Sequence, residues 1–321
     1  MLRVRFSPFL IAVLCVTNAA AESPEQAFAR IAKGFDGRVG VCAIDNSIES
    51  CVNGDRRFSL QSVMKLLVGM AAADTLQLSD PVTIRKDDLS LFVQPIAKIV
   101  NEHGPFKTTI GDLVRRAIVD SDSAATDNLI KRLRGPAAVQ AFLNRKGITG
   151  MRIDRDEKTL QTEIVGLAWK PEFVDAALLD SAIKREPREA RDEADRRYRN
   201  DVRDTATPKA MAEMLDALNR GKLLSPSSTR FILDVMAQTV TFPDRLKAGL
   251  LPGWKIAHKT GTSGSWNGVT IATNDVGILT APDGSSIAIA VFIGDSRALD
   301  AARAALTAKL AAAAISHHRL P

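Results

Sequence analysis

The sequence predicts an α+β protein of two lobes with a cleft between them. Strand-like segments gather near both ends of the chain, whereas helical periodicity fills its middle. Turn residues separate consecutive strands, as the hairpins of one antiparallel sheet require. Composition is ordinary for a globular chain, 45% hydrophobic and 25% charged over 321 residues, which excludes disorder, collagen and disulfide-knot scaffolds. That length suits one large domain or two interleaved ones. Aromatic residues make up only 5%, with one tyrosine, Tyr198, which argues against stacking platforms for single-stranded nucleic acid. The net charge of +6 is spread along the chain, a weak argument for anionic partners.

In order, the chain begins with Arg3 and Arg5, an apolar run Phe9 to Val16 too short to span a bilayer, and Ala19-Ala20-Ala21 before Glu22. This is the layout of a secretory signal peptide over 1–21; the other reading is a buried first helix. Cys15 lacks the small residues that precede a lipidated cysteine. Glu25 to Phe35 reads as a helix. Arg38 to Ile44 and Ser50 to Phe58 read as strands around the turn residues Asp45-Asn46-Ser47. If Asn46-Ser47 is a two-residue loop, Asp45 faces Ile48, Ile44 faces Glu49, and Cys42 faces Cys51 on a non-hydrogen-bonded rung. Such rungs bring Cα atoms to about 4.5 Å, within disulfide reach. An exported protein allows that bond; two buried free thiols are the alternative.

Helices are expected over Ser62 to Leu76, Thr109 to Val119, Ser123 to Arg134, Pro136 to Arg145, Pro208 to Leu218 behind a Thr207 cap, and Ser228 to Gln238. Strands follow at Trp254 to His258, Val269 to Thr273, Val276 to Thr280 and Ile287 to Ile293, with turns at Asp275 and Asp283-Gly284. Asp300 to Ile315 is an alanine-rich closing helix. Phe173 to Arg203 begins apolar and becomes densely charged, as a solvated helix would.

Four histidines and no Walker loop, H-E-x-x-H, C-x-x-C or G-x-S-x-G leave histidine triads and metal sites little to draw on. Ser62-Val63-Met64-Lys65 places a hydroxyl and an amine on one helix face, where an unprotonated lysine could activate the serine. Ser181-Ala182-Ile183-Lys184 has the same spacing, so the string alone is weak. Context separates them: Ser62 opens an apolar helix after a strand at the lobe boundary, and Ser181 lies in the charged segment. Ser121-Asp122-Ser123 falls between two helices, and Lys259-Thr260-Gly261 at a strand end. The order and spacing of all three motifs carry the signal.

On these motifs the chain resembles class A serine β-lactamases, within the wider superfamily of penicillin-binding proteins. Phe58-Ser59-Leu60-Gln61-Ser62, Ala257-His258-Lys259-Thr260-Gly261-Thr262-Ser263 and Asn274-Asp275-Val276-Gly277 look most like the branch with a His-Lys-Thr-Gly motif. Asp154 to Gln161 resembles the family's Ω-loop, whose glutamate would be Glu157, and Arg203 to Pro208 its far end, clasped by Arg155 and Asp204. Without the resemblance this is simply a charged loop. The resemblance implies an α/β lobe of 22–58 plus 206–321 and a helical lobe of 59–205, with an insertion near 162–200 where the family has a handful of residues.

It also implies hydrolysis of the ring amide of penicillins and cephalosporins through an acyl-serine. Ser62 would be the nucleophile, Lys65 or Glu157 the acylation base, and Ser121 the proton donor to nitrogen, with Lys259 beside it. Ser123, Gln161, Thr260, Gly261, Thr262 and Arg245 would bind substrate. Ser123 and Gln161 stand where the family has asparagines. No cofactor and no metal are expected, nor any nucleic acid or membrane partner after signal cleavage; the product would be a monomer, periplasmic or secreted. The rivals are a D-Ala-D-Ala carboxypeptidase, which shares the three motifs, and a non-catalytic penicillin-binding protein. For the insertion, Ile164 to Ile183 is expected to pack beside the cleft as a lid and Glu186 to Arg199 to face water.

Overall fold

The computed structural model describes residues 22–318, so the signal-peptide reading of 1–21 lies outside the described residues. Helix α1 (Pro24–Ala32) starts in a capping box in which Ser23 and Gln26 satisfy each other's backbone N–H groups. Strands β1 (Arg38–Asp45) and β2 (Ile48–Val52) form a hairpin. Its loop residues Asn46 and Ser47 both take positive φ, 47° and 68°, as a two-residue turn of the type that matches strand twist requires. The register follows the expected one, Asp45 to Ile48, Ile44 to Glu49 and Cys42 to Cys51. The cysteines form a disulfide with Cα atoms 4.1 Å apart.

The expected strand Ser50 to Phe58 is in fact divided. β2 ends at Val52, a turn with positive φ at Asn53 intervenes, and β3 (Phe58–Ser59) pairs instead with β6 (Thr205–Ala206). The chain then enters a 3₁₀ turn (Gln61–Val63) and α2 (Met64–Thr75), whose first ten residues are all buried. A helix apolar on every face belongs in the centre of a domain. Around it lie the hairpin β4 (Pro81–Ile84) and β5 (Phe106–Thr109), with α3 (Pro95–His103) between them in sequence, then α4 (Ile110–Val119), α5 (Ser123–Arg132) and α6 (Pro136–Arg145). Thr109 caps α4 and Asp122 caps α5, each through its side-chain oxygen.

The segment expected to be an insertion, 162–200, continues from α7 (Glu157–Ile164) through a 3₁₀ turn (Pro171–Val174) into α8 (Ala176–Arg185) and α9 (Arg188–Asn200). Leu91, Phe173 and Leu179 form a small core of their own there, with Leu167, Trp169 and Ile183 against it. The expectation that 186–199 faces water is corrected: Ala194, Asp195 and Tyr198 of α9 are buried. Their spacing puts them on one face of a helix, while the charges that dominated the composition occupy the other.

The chain then returns through α10 (Pro208–Asn219, capped by Thr207) and α11 (Pro226–Ala237) to β7 (Lys255–Thr262), β8 (Ser265–Trp266), β9 (Val269–Thr280), β10 (Ser286–Ser296) and α12 (Asp300–Ser316). The main sheet runs β2-β1-β10-β9-β7, all antiparallel, with β8 on β9. One face is covered by α1 and α12 around Phe28, Val41, Ile289 and Leu310. The other joins the large core shared with the helices. The turn expected at Asp275 is absent: β9 is continuous, and Asp275 is fully buried within it. Its carboxylate finds partners across the sheet instead of marking a chain reversal. Among the described residues no helix is long and apolar enough to cross a membrane.

Candidate active site

Ser62 sits in the 3₁₀ turn between β3 and α2. The turn is held from three sides. Gln61 takes a positive φ of 46°, a conformation that non-glycine residues adopt only when their surroundings enforce it. Asn274 Nδ2 donates to the carbonyls of Ser59 (2.8 Å) and Leu60 (3.1 Å). β7 presses on the turn at Gly261, where a Cβ would lie 2.7 Å from the Leu60 carbonyl oxygen and 3.2 Å from the Ser62 nitrogen. The glycine of Lys259-Thr260-Gly261 is thus a packing requirement, since any side chain would push the strand off the turn.

Lys65, one helical turn on, is buried. Its Nζ donates to the Ser121 carbonyl (2.6 Å) and to Ser123 Oγ (3.1 Å), and lies 3.6 Å from Glu157 Oε1. Ser121 takes a positive φ of 59° in the loop before α5. Its hydroxyl accepts from Lys259 Nζ at 3.1 Å. One serine therefore joins two lysines, through its carbonyl to Lys65 and through its hydroxyl to Lys259. Lys259 is fully buried, and that burial, with the Lys65 charge adding to it, pushes its ammonium down to about 7. Asp122 between them faces away, accepting from the backbone N–H groups of Ala125 and Ile96.

Glu157 opens α7 behind an Asp156 cap. Its backbone N–H donates to Asp127 Oδ1 at 2.8 Å, and Asp127 also accepts from Ser90. Burial, with the nearby Asp156 charge, pushes the Asp127 carboxyl up to about 7. Glu157 Oε2 meets Gln161 Nε2 at 3.4 Å and Ser123 Oγ at 3.5 Å. Oε1 receives no hydrogen bond from the described residues. Gln161 also reaches Gln61 Oε1 at 3.3 Å. The base of the loop is closed by Arg155 Nε on Asp204 Oδ2 at 2.6 Å, with Asp201 and Glu163 on the same guanidinium.

At the end of β7, Thr262 Oγ1 accepts from Arg245 Nη2 at 2.7 Å, and Thr260 Oγ1 pairs with Thr241 at 2.6 Å. Arg245 is buried over Phe242 and donates to the Asn274 carbonyl; burial lowers its guanidinium to about 10. Asp275 accepts from His258 Nδ1 (2.9 Å) and from the Leu246 N–H (3.1 Å), fixing the chain just after Arg245.

The structure thus gathers Ser62, Lys65, Ser121, Ser123, Glu157, Gln161 and Lys259–Thr262 around one cleft, with Arg245 behind Thr262. A cavity of about 410 Å³ opens on Ser62, Lys65, Ser123, Glu157, Gln161 and Thr262, with apolar walls from Phe92, Val93, Ile164, Val165, Ile183 and Ile271. Ser181 and Lys184 stay outside it, Lys184 pairing with Asp180 on the surface of α8. Cys42, Glu49 and Cys51 are grouped closely enough to ligate a metal, but both sulfurs are consumed by the disulfide.

Two contributors carried no readable signal: Asp127 and Thr241 act from elsewhere in the sequence on a backbone N–H and a hydroxyl. Asn274 stood in a recognised motif, but its hold on the Ser59 and Leu60 carbonyls did not show there. Tyr198 OH bonds both Ser59 Oγ and Gln61 Nε2 from α9. The one available hint was a lone aromatic in a charged run.

A family model described as the beta-lactamase enzyme family matches residues 23–318. Beta-lactamase VEB-1 of Pseudomonas aeruginosa is 30% identical over 300 residues, covering 90% of this chain and 88% of that protein. Extended-spectrum beta-lactamase PER-1, also of Pseudomonas aeruginosa, is 30% identical over 322 residues, covering 97% and 90%. Among solved structures, an ancestral class A beta-lactamase superposes with a TM-score of 0.73 at 28% identity, covering 92% of this chain and 99% of that one. A beta-lactamase from Chitinophaga pinensis does so with 0.73 at 28%, covering 90% and 97%.

Proposed function

This chain belongs to the beta-lactamase enzyme family as a class A serine β-lactamase that hydrolyses the β-lactam ring and so confers resistance to β-lactam antibiotics, and we propose how its residues divide that reaction. Ser62 Oγ attacks the ring carbonyl. Its proton leaves to Lys65, or to Glu157 through a water. The developing oxyanion is held by the backbone N–H groups of Ser62 and Thr262, brought together by the close approach at Gly261; such preorganised donors cost no reorganisation during reaction. The ring C–N bond breaks as Ser121 passes its hydroxyl proton to the nitrogen; the proton taken from Ser62 returns to Ser121, and Lys259 steadies the hydroxyl oxygen throughout. Thr260, Thr262 and Arg245 take the substrate carboxylate, a placement that suits a fixed hydroxyl-rich, cationic corner. Glu157 then accepts a proton from water as the water attacks the ester, and that proton passes on to Ser62 Oγ as the ester C–O bond breaks, freeing the serine and restoring the carboxylate. Gln161 and Ser123, both near Glu157 Oε2, orient that carboxylate.

The observation that carries this division is the double engagement of Ser121: one lysine on its carbonyl, the other on its hydroxyl. Both contacts support Ser121 as the proton donor, since they set it between Lys65 on α2 and Lys259 on β7. Purified protein mixed with a chromogenic cephalosporin should turn it over. Mass spectrometry during turnover should find the acyl group on Ser62. An adduct on any other serine overturns the assignment.

The same reading makes 1–21 a cleaved signal peptide and the mature enzyme a periplasmic or secreted monomer, with the α/β lobe spanning 22–58 plus 206–321 and the helical lobe 59–205. The Cys42–Cys51 bond supports passage through an oxidising compartment. N-terminal sequencing of exported protein should begin at Glu22, and sedimentation should give one chain per particle.

A further inference from the structure

The insertion does more than extend the Ω-loop. The face of α9 bearing Arg188, Arg191 and Asp192, successive on the helix at spacings of three and four, reaches the β8 hairpin on the far side of the cleft. Asp192 Oδ1 accepts from Trp266 Nε1 at 2.7 Å and from Asn267 Nδ2 at 2.9 Å. Arg188 donates to Asn267 Oδ1 at 3.2 Å. The Arg191 guanidinium lies 3.8 Å from the centre of the Trp266 ring, a stacked cation–π contact. Arg191 and Trp266 both face the cavity that opens on Ser62, and Ile164 and Ile183 supply its apolar wall on the insertion side.

We propose that Asp192, by holding Trp266 and Asn267, latches α9 across the mouth of the cleft and makes the enzyme selective for β-lactams with compact apolar acyl substituents. The proposal rests on the acyl-serine reading of Ser62 and adds to it the residues that set substrate class. The closed cavity has room for a bicyclic nucleus with a compact apolar group against Ile164 and Ile183. A long, branched oxyimino substituent meets Trp266 and Arg191, and enters only when the latch opens. Asp192 is a positioning residue: it lies outside the cavity lining and acts through Trp266.

Substituting the whole insertion would confound the test, because Tyr198 supports Gln61 from the same segment, and Asp201, which immediately follows it, supports Arg155. Point variants of the exported enzyme avoid this. KM and kcat are measured for benzylpenicillin and for a cephalosporin carrying a bulky oxyimino group, with the acyl adduct located in each case. Asp192→Ala should lower the KM for the bulky cephalosporin by about tenfold, the worth of roughly one good hydrogen bond, with kcat for benzylpenicillin within about twofold. Hydrogen exchange over Arg188–Asn200 should rise. Asp192→Asn keeps an oxygen that can accept both bonds, and should retain the wild-type KM ratio. Trp266→Phe, which removes only the indole donor and part of the ring, should shift the ratio as Asp192→Ala does. Faster exchange in α9 with an unchanged KM ratio overturns the latch. An equal fall in kcat for both substrates also overturns it, because α9 would then be supporting Glu157 alone. Absence of an adduct on Ser62 in the wild type overturns the acyl-serine reading, while the KM ratio still reports on the latch.

Discussion

Two helices of this protein carry the same spacing of serine and lysine, and they differ in almost everything else. Ser62 lies in the 3₁₀ turn that runs into α2 and Lys65 in the first turn of α2, whereas Ser181 and Lys184 both lie in α8. Both serines are half-buried. The lysines separate them. Lys65 is 1% exposed, boxed in by a carbonyl, a hydroxyl and a carboxylate; Lys184 is 73% exposed and paired with Asp180 one turn back. In water the ion pair of an exposed ammonium with a surface carboxylate is worth little. In a dry cleft the same group is held by fixed partners whose interactions are far stronger. A motif is therefore a statement about spacing, and the environment decides whether the spacing has chemistry.

The largest effect that sharpens this contrast is at the serines. Ser62→Ala should abolish both hydrolysis and covalent labelling by penicillin, and Ser181→Ala should alter neither. Labelling that survives in Ser62→Ala and disappears in Ser181→Ala would invert the comparison. Next come the proton-handling groups. Lys65→Met should cost acylation about 10²–10⁴-fold, the usual worth of a positioned acid or base. Lys184→Met should leave rates unchanged and stability within about 0.5 kcal/mol. Glu157→Gln should still be acylated but release product about 10²–10⁴-fold more slowly, so that the acyl-enzyme accumulates by mass. Unchanged turnover would reduce Glu157 to a loop charge.

Lys259 extends the contrast to pH. Its ammonium titrates near 7 in the fold against 10.5 in an unfolded chain. Between those values the unfolded state binds more protons, so stability rises with pH across that window; below about 7 both states are protonated and the burial cost is felt in full. Denaturation midpoints at pH 7 and 10 should show this rise in the wild type and a flatter profile in Lys259→Met. The kcat/KM for a penicillin, which reports the free enzyme, should fall above pH 7 as the charge facing the substrate is lost. In Lys259→Arg that limb should move to higher pH. The smallest effect is at the far hairpin. Opening the Cys42–Cys51 bond should cost about 2–3 kcal/mol for so short a loop, read as a lower melting temperature with kcat unchanged. Two free thiols in denatured, unreduced enzyme would show the bond absent from the exported protein.

What could be read in the sequence follows the same division. Local signals located the elements: Thr207 with Pro208, the Asn46-Ser47 loop and the apolar run of α2 each carry their cause within a few residues. The three motifs were legible because their order survives in the chain. Asp275 misled because an aspartate between strand residues ordinarily marks a turn, whereas here His258 and the Leu246 N–H satisfy it inside a continuous strand. The charged run 186–199 misled because composition hides the period that buries Ala194, Asp195 and Tyr198. The supports of Gln61 and Glu157 (Tyr198 and Asp127) were out of reach, since each arrives from a distant segment, Tyr198 onto the Gln61 side-chain amide and Asp127 onto a backbone N–H that every residue carries.

Tyr198 is the only tyrosine in the chain, and the fold has placed it at the seam between α9 and strand β3, just ahead of Ser62. Its phenol is pushed up to about 12 by burial, so it stays protonated across the working range. Biosynthetic replacement by 3-fluorotyrosine would therefore yield a single ¹⁹F resonance with no assignment to make. That one line would register undocking of α9 and, through Gln61, acylation of the adjacent serine. The enzyme carries a spectroscopic reporter of its own active site.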